Sequence, residues 1–345
     1  MRAVVYSDPG AVSVTAVTDA AVVDPTDAVV EVARAGICGT DLHLVADGHG
    51  LLPGNVMGHE FVGVVVDVGS AVRDVHRGDR IAGTDFTACG SCWWCRGGNQ
   101  WECEQRAFFG SGTTFGARLD GAQAEYVRVP FADVALQRLP EELDWESALF
   151  LGDILATGYG AVRRAHFRPG ATVAVVGGGP VGQMTSQAAQ ACSAGPVVVV
   201  EPVSERRELA ADCGAVTATP ETAVEVLAEL TDGRGADVVI EAVGGSRGLE
   251  TAMSLVRRRG TVVSVGVHSD PAWSLPVARA FADEVTLSFA IGNAIRDRDE
   301  IVSLLAAGVI DPTVVIDNRV GIEEAPEGYS AMAARRSVKT VVVFD

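Results

Sequence analysis

Lysine is almost missing from this chain. Of its 27 basic residues only Lys339 is a lysine, and the rest are arginine. Genomic bias is the first reading of that imbalance, because few surface sites need arginine over lysine. Positive charge is scarce altogether: 45 acidic residues leave a net charge of −18. That balance opposes phosphate backbones and anionic membrane surfaces, so neither a nucleic acid nor a membrane is an expected partner. No stretch of about 18 apolar residues exists to span a bilayer. The N-terminal MRAVVYSDPG lacks the apolar core of an export signal. There is no internal repeat and no low-complexity linker. A cytoplasmic, soluble protein is expected.

What is present suits two domains: 345 residues, 48% of them apolar. The first part is strand-like. Residues 3–6, 12–17, 28–33 and 61–68 are short β-branched runs between turn residues, as in a barrel-like β domain. Near residue 145 the pattern changes. Residues 146–164 carry helix-like stretches broken by Gly152, Gly158 and Gly160. Strands expected at 172–176, 197–200, 237–241 and 261–265 then alternate with helices from about 204, 221 and 248. This rhythm predicts a parallel sheet covered on both faces. A helix over 300–307 and strands at Val314 and 340–344 follow. The expected organisation is α/β: a β-rich catalytic domain over 1–150, a doubly wound dinucleotide-binding domain over 151–293, and a return to the first domain over 294–345.

Four of the seven cysteines, Cys89, Cys92, Cys95 and Cys103, fall within fifteen residues, in a lobe of about 85–105. Two overlapping C-x-x-C steps and a later fourth thiol can close a tetrahedral shell around one Zn²⁺. Disulfides are the alternative and need an oxidising compartment. A site with four sulfur ligands has no open position, so it would hold shape and do no chemistry.

The segment AVVGGGPVGQ carries Gly177, Gly179 and Gly182 as G-x-G-x-x-G, with Pro180 and Val181 between. The motif alone is weak, but here it leaves an apolar strand and opens a helix. Gly177 permits the tight turn, Gly179 lets backbone approach a pyrophosphate, and Gly182 allows close helix packing. The helix N-terminus adds free N–H groups and partial positive charge. Glu201 ends the next strand, 19 residues beyond Gly182. An acid there accepts from the adenosine ribose diol and repels a 2′-phosphate, which favours NAD. Arg206 either lies over the adenine ribose or decorates the helix surface.

Two further clusters stand out: Cys38-Gly39-Thr40-Asp41-Leu42-His43, and Gly58-His59-Glu60. Cys38 and His59 are donors of the kind a catalytic zinc uses, with three protein ligands and an open fourth position. A lone cysteine and a lone histidine are more often simply core or surface residues. With Gly58-His59-Glu60 followed by Gly63, Gly69 and Val72, with Cys38-Gly39-Thr40-Asp41 and with the cysteine lobe, the chain resembles the zinc-dependent medium-chain alcohol dehydrogenases. The likeness runs from the first strand to Lys339.

The resemblance implies a GroES-like catalytic domain and two zinc ions per chain. It implies Cys38 and His59 as catalytic-zinc ligands, with Asp41 fixing the His59 ring. Thr40 would take the alcohol proton and His43 would pass it outward. Glu60 is a further possible ligand in some states, and Lys339 is expected at the cofactor pyrophosphate. The basic residue that usually follows the first ligand is replaced by Gly39. Where the family often has a third cysteine this chain has Asp153. A carboxylate is an acceptable zinc donor; the alternative is an acid at a helix start. The implied activity is interconversion of an alcohol and its aldehyde or ketone with NAD, on a small-molecule substrate, by a homodimer or homotetramer. An aldehyde dismutase or conjugate reductase on the same scaffold is the alternative. Asp85, four residues before Cys89, occupies a place that in such proteins usually faces the substrate and is often apolar. Either it meets a polar group on the substrate, or it turns away to cap the lobe or pair with an arginine.

Overall fold

Residues 1–344 are described by the computed structural model, and the chain divides into two units. One holds Met1–Asp153, Asn293–Ala307 and the chain from Pro312 on; the other holds Ile154–Gly292 and Gly308–Asp311.

The first stretch opens with an antiparallel hairpin, β1 (Arg2–Asp8) and β2 (Ala11–Ala16), turning at Gly10 with φ 82°. β3 (Ala28–Gly36) leads into α1 (Gly39–Asp47), and the chain returns as β4 (Glu60–Val68), antiparallel to β3. Then come β5 (Arg80–Gly83), β6 (Phe86–Thr87), β7 (Ala107–Phe108), β8 (Tyr126–Val129) and β9 (Leu136–Arg138). Strands β6 and β7 pair with each other and bracket the cysteine lobe. Inward-facing Val30, Val32, Phe61, Val65, Ile81 and Phe109 form the barrel core, the alternation a half-buried strand requires. The short α2 (Trp145–Leu149) closes this stretch.

The second unit starts with α3 (Ile154–Ala165). There follow β10 (Val173–Val176), α4 (Pro180–Ala191), β11 (Val197–Val200), α5 (Ser204–Asp212) and β12 (Val216–Ala218). The second half carries α6 (Ala223–Thr231), β13 (Ala236–Glu241), α7 (Gly245–Leu255), β14 (Val256–Ser264) and β15 (Thr286–Phe289). All six strands are parallel, in the order β12-β11-β10-β13-β14-β15. The runs VAVV and VVVV of β10 and β11 are buried throughout, as strands covered on both faces must be. The expectation of helix breaks at Gly158 and Gly160 is corrected, since α3 runs through both. A Cβ at Gly158 would stand 2.7 Å from the Thr185 nitrogen, so this glycine allows α3 and α4 to pack closely.

The chain then returns through α8 (Ala294–Ala306), whose cap Asn293 accepts the Arg296 N–H at 3.1 Å. The strand expected at Val314 is a 3₁₀ turn, Pro312–Val315. Pro312 has no N–H for a ladder, and the Ile316 N–H donates back to Thr313 C=O at 2.9 Å. Finally come β16 (Asn318–Gly321), α9 (Ala325–Ala333) and β17 (Thr340–Val343). β17 pairs with β3, completing a sheet ordered β16-β17-β3-β4-β5-β9, with β8 also on β3. Among the described residues no helix is long and apolar enough to cross a membrane.

Candidate catalytic metal centre

Three chain reversals bring three donors together in the first unit. Cys38 caps α1 just after β3, His59 precedes β4, and Asp153 ends the turn after α2. Asp153 Oδ2 lies 3.2 Å from Cys38 Sγ and 3.3 Å from His59 Nε2. The three donor atoms all lie within 4.8 Å of one another. Ligands at zinc-bond lengths on a tetrahedron stand about 3.3–3.7 Å apart. His59 is fully buried and its Nε2 makes no hydrogen bond, an omission that a metal would explain. The donor set of one thiolate, one imidazole and one carboxylate suits Zn²⁺ and leaves a fourth position free.

The electrostatics agree. Burial, then the Asp153 charge, push the Cys38 thiol up to about 11. Burial pulls the His59 ring toward neutrality, but Asp41 and Asp153 outweigh it and raise its pKa. Burial also works against ionised Asp153, yet His59 and Lys339 hold it down at about 2. Asp153 is thus the anionic member of the set, and a cation bound there would displace the thiol proton of Cys38 and the proton His59 takes up.

Around the donors lies a polar shell. Asp41 Oδ1 is 3.2 Å from His59 Nδ1, and its Oδ2 accepts the Cys38 N–H at 2.9 Å. Asp41 thus orients the ring so that Nε2 faces Asp153. Gln123 ties the shell together. Its amide donates to Gly36 C=O at 2.9 Å and to Asp41 at 3.4 Å, and its carbonyl accepts the Tyr329 hydroxyl at 2.8 Å. Phe108 stacks on the His59 ring at 4.9 Å. Neither Gln123 nor Phe108 carries a local motif that marks it as a metal-site residue.

Lys339, which the resemblance places at the cofactor pyrophosphate, lies in the interior of the first unit. It is fully buried, and its Nζ pairs with buried Glu60 Oε2 at 2.5 Å and lies 5.3 Å from the Phe150 ring. Burial disfavours its charge, but Glu60 more than compensates and raises its pKa. β17 carries Lys339 beside β3, and a Cβ at Gly36 would strike Glu60 Oε2 at 2.0 Å. That glycine makes room for the pair. The proton-relay candidates divide: Thr40 is half-buried with Oγ1 4.0 Å from Cys38 Sγ, while His43 is exposed on α1. Asp85 is buried nearby, and burial followed by the Asp153 charge raises its carboxyl pKa well above the usual range.

Cys89, Cys92, Cys95 and Cys103 form a second cluster, each offering one sulfur within the same 4.8 Å span and none in a disulfide. Backbone N–H groups aim at the sulfurs: Cys92 to Cys89 Sγ at 3.3 Å, Cys95 to Cys92 Sγ at 3.5 Å, and Cys89 and Gln105 to Cys103 Sγ at 3.3 and 3.4 Å. For Cys89 burial is unfavourable, but the bonds from Ser91 and Cys92 bring the thiol down to about 6. The Cys95 N–H likewise lowers Cys92, while burial raises Cys95 and Cys103.

In the second unit the glycine loop joins β10 to α4. Gly177 has φ 100°, and a Cβ at Gly182 would stand 1.9 Å from Gly177 C=O. Gly179 caps α4 and Pro180 opens it, with Val181 behind; the missing proline N–H is one the helix start does not need. Buried Glu201 accepts the Gly178 N–H at 2.7 Å and the Val203 N–H at 3.0 Å. Arg206 Nη1 would stand 3.9 Å from a Cβ on Gly179, so its guanidinium lies beside the loop. The bare loop backbone at a helix N-terminus fits a dinucleotide pyrophosphate.

Comparison with known proteins gives the same picture. The model for an alcohol dehydrogenase GroES-like domain matches residues 24–141, and that for a zinc-binding dehydrogenase matches residues 180–307. The chain is 35% identical to zinc-type alcohol dehydrogenase B of Aspergillus flavus, over 99% of this chain and 81% of the relative. Among solved structures it is similar to an alcohol dehydrogenase from Thermus sp. ATN1, with a TM-score of 0.95, 40% identity and 99% coverage of both chains. A zinc-binding dehydrogenase from Sinorhizobium meliloti 1021, bound to NADP, aligns with a TM-score of 0.87 and 32% identity over 99% of both chains. With this sequence similarity along its whole length, this fold and this donor set, the chain belongs to the zinc-dependent medium-chain alcohol dehydrogenases.

Proposed function

We propose that this protein interconverts an alcohol and its aldehyde or ketone by hydride transfer to or from a nicotinamide dinucleotide, with NAD preferred over NADP. The convergence of Cys38 Sγ, His59 Nε2 and Asp153 Oδ2 carries the reading. Zinc held by these three would supply a Lewis acid for the reacting oxygen. Asp41 keeps His59 in the tautomer that offers Nε2. Thr40 Oγ1, 4.0 Å from Cys38 Sγ, takes the alcohol proton, and exposed His43 releases it to solvent. The four-cysteine lobe holds a second, closed zinc. In the second unit Gly177, Gly179 and Gly182 admit the pyrophosphate, and Glu201 meets the adenosine ribose.

NAD reduction against a panel of primary, secondary and polyhydric alcohols tests the activity. Turnover that disappears with the metal and returns with zinc is expected; metal-independent turnover, or none on any alcohol or carbonyl, overturns it. Cofactor choice is tested by Glu201→Gly, which removes the acid and leaves Arg206 to face a 2′-phosphate. The ratio of kcat/KM for NAD over NADP should fall in the variant. A wild-type ratio below one refutes the role given to Glu201.

A further inference from the structure

Four buried or half-buried carboxylates surround the donor cluster, and three of them are compensated. Asp41 accepts from the Cys38 N–H and the Gln123 amide. Glu60 pairs with Lys339. Asp153 belongs to the donor set itself. Asp85 has no such partner. It is 6% exposed, and among the described residues no other side chain or backbone N–H donates to its carboxylate. The hydroxyls nearest in sequence are committed elsewhere: Thr84 donates to Phe86 C=O at 2.6 Å, and Thr87 to Ala107 C=O at 3.5 Å.

Its main chain is held from both sides. The Asp85 N–H donates to Gly152 C=O at 3.3 Å, one residue before Asp153. Its C=O accepts the Phe109 N–H at 3.1 Å, next to the Phe108 ring that stacks on His59. These bonds keep Asp85 in the segment that walls the donor cluster. The carboxylate has no donor from another described residue, and its oxygens are not among the sealed, unpartnered atoms of the centre, so they stay within reach of a small molecule. A nearly buried carboxylate left without a protein donor is stabilised by a donor that a ligand brings.

We infer that Asp85 receives a hydrogen-bond donor carried by the substrate beside its reacting carbon, so that the site selects vicinal diols or amino alcohols over simple alcohols. The inference rests on the alcohol dehydrogenase reading of the centre. Oxidation converts only the carbinol that loses hydride and proton; the neighbouring hydroxyl or ammonium is unchanged and gives an α-substituted ketone. A simple alcohol would leave Asp85 facing a methyl group, which is the mismatch a polar pocket discriminates against most strongly.

The test uses zinc-loaded protein with NAD and three substrates on one skeleton: 2-butanol, 2,3-butanediol and 3-amino-2-butanol. The wild type should favour one donor-bearing substrate over 2-butanol by at least about tenfold in kcat/KM. Asp85→Ala should bring that ratio close to one. Asp85→Asn separates the two donors, since an amide oxygen still accepts from a hydroxyl but no longer pairs with an ammonium charge. A diol preference that survives in Asp85→Asn, or an amine preference that is lost in it, is the expected pattern. Zinc content and thermal shift by each compound without cofactor are read for every variant, so a misfolded one is recognised. Oxidation of 2-butanol as efficient as that of both partners, or identical ratios in wild type and Asp85→Ala, overturns the inference and leaves the alcohol dehydrogenase reading standing. Turnover of no alcohol at all removes that reading and the inference with it.

Discussion

Asp153 is where this centre differs from an all-sulfur-and-nitrogen donor set. Its carboxylate is held at about 2 against burial by His59 and Lys339, so it is an anionic donor throughout the neutral range. Asp153→Ala should lose one zinc per chain and most turnover, because Cys38 and His59 alone offer only two ligands. Asp153→Cys should keep the zinc, thiolate being an equally good donor. Metal content by atomic absorption decides; two zinc ions and full activity in the alanine variant would refute the role. Cys38, His59 and Asp153 were singled out in the sequence through the family resemblance, and the fold brings their donor atoms within 4.8 Å of one another. Asp41 was singled out in the same way, but Gln123, Tyr329 and Phe108 were not. Gln123 reaches Tyr329 across 206 positions of chain, and no local pattern marks either residue. Lys339 was noticed as a basic residue, but its partner could not be read. Whether a cation faces a phosphate or a buried carboxylate depends on how β17 lies beside β3.

At the level of elements, the cysteine lobe is a self-contained loop whose spacing alone announced it. Three of its four sulfurs, those of Cys89, Cys92 and Cys103, already accept backbone N–H groups, and all four positions of a tetrahedral shell are filled by protein, so its metal should be slow to leave. The Cys38–His59–Asp153 site keeps a position for exchange. Brief treatment with a chelator should therefore abolish activity and release about one zinc of two, with the melting temperature hardly changed. Release of both ions together would contradict this division. Helix α2 carries a charged cap. Asp144 begins α2 and accepts the N–H groups of Glu146 and Ser147, both at 2.9 Å, and the Ser147 hydroxyl at 2.6 Å. Burial would raise its pKa, but the Ser147 and Glu146 bonds outweigh it and lower it. A depressed folded-state pKa means stabilisation that is complete above the unfolded value, about 3.9, and is lost as pH falls through the lower folded value. Asp144→Ala should cost about 1 kcal/mol at pH 7. The gap to wild type should shrink below pH 4, read as the difference in melting temperature at the two pH values; a constant gap would show that the cap does not depend on its charge. Glycine was the poorer guide. Gly158 and Gly160 looked like helix breaks, although close packing of α3 on α4 is why Gly158 is there. β-branched Val314 looked like a strand until Pro312 denied it a ladder partner.

For the molecule as a whole, the sequence announced two kinds of architecture through its change of period, and each unit has the sheet its rhythm implied. What period cannot show is which strand ends a sheet. Among the described residues β15 pairs only with β14, so one side of its backbone is open. An unpaired edge invites a second chain. Phe289 at its end is 56% exposed, and Phe281 in the preceding segment is 84% exposed. Large apolar side chains this open, near a bare edge, suit a two-fold contact in which β15 meets its own copy antiparallel. Against this acts the net charge of −18, which makes copies repel. Salt screens that repulsion, with a Debye length of about 8 Å at physiological ionic strength and about 30 Å at 0.01 M. Light scattering should therefore give a mass that is a multiple of the 35.8 kDa chain at physiological salt, with dissociation favoured on dilution into low salt. Phe281→Lys adds like charge on each side of the contact and removes nothing from a buried core, so it should shift the protein toward the single chain without lowering the monomer's melting temperature. A mass of one chain at every concentration and salt would exclude the assembly, and an unchanged oligomer in Phe281→Lys would move the contact away from this edge.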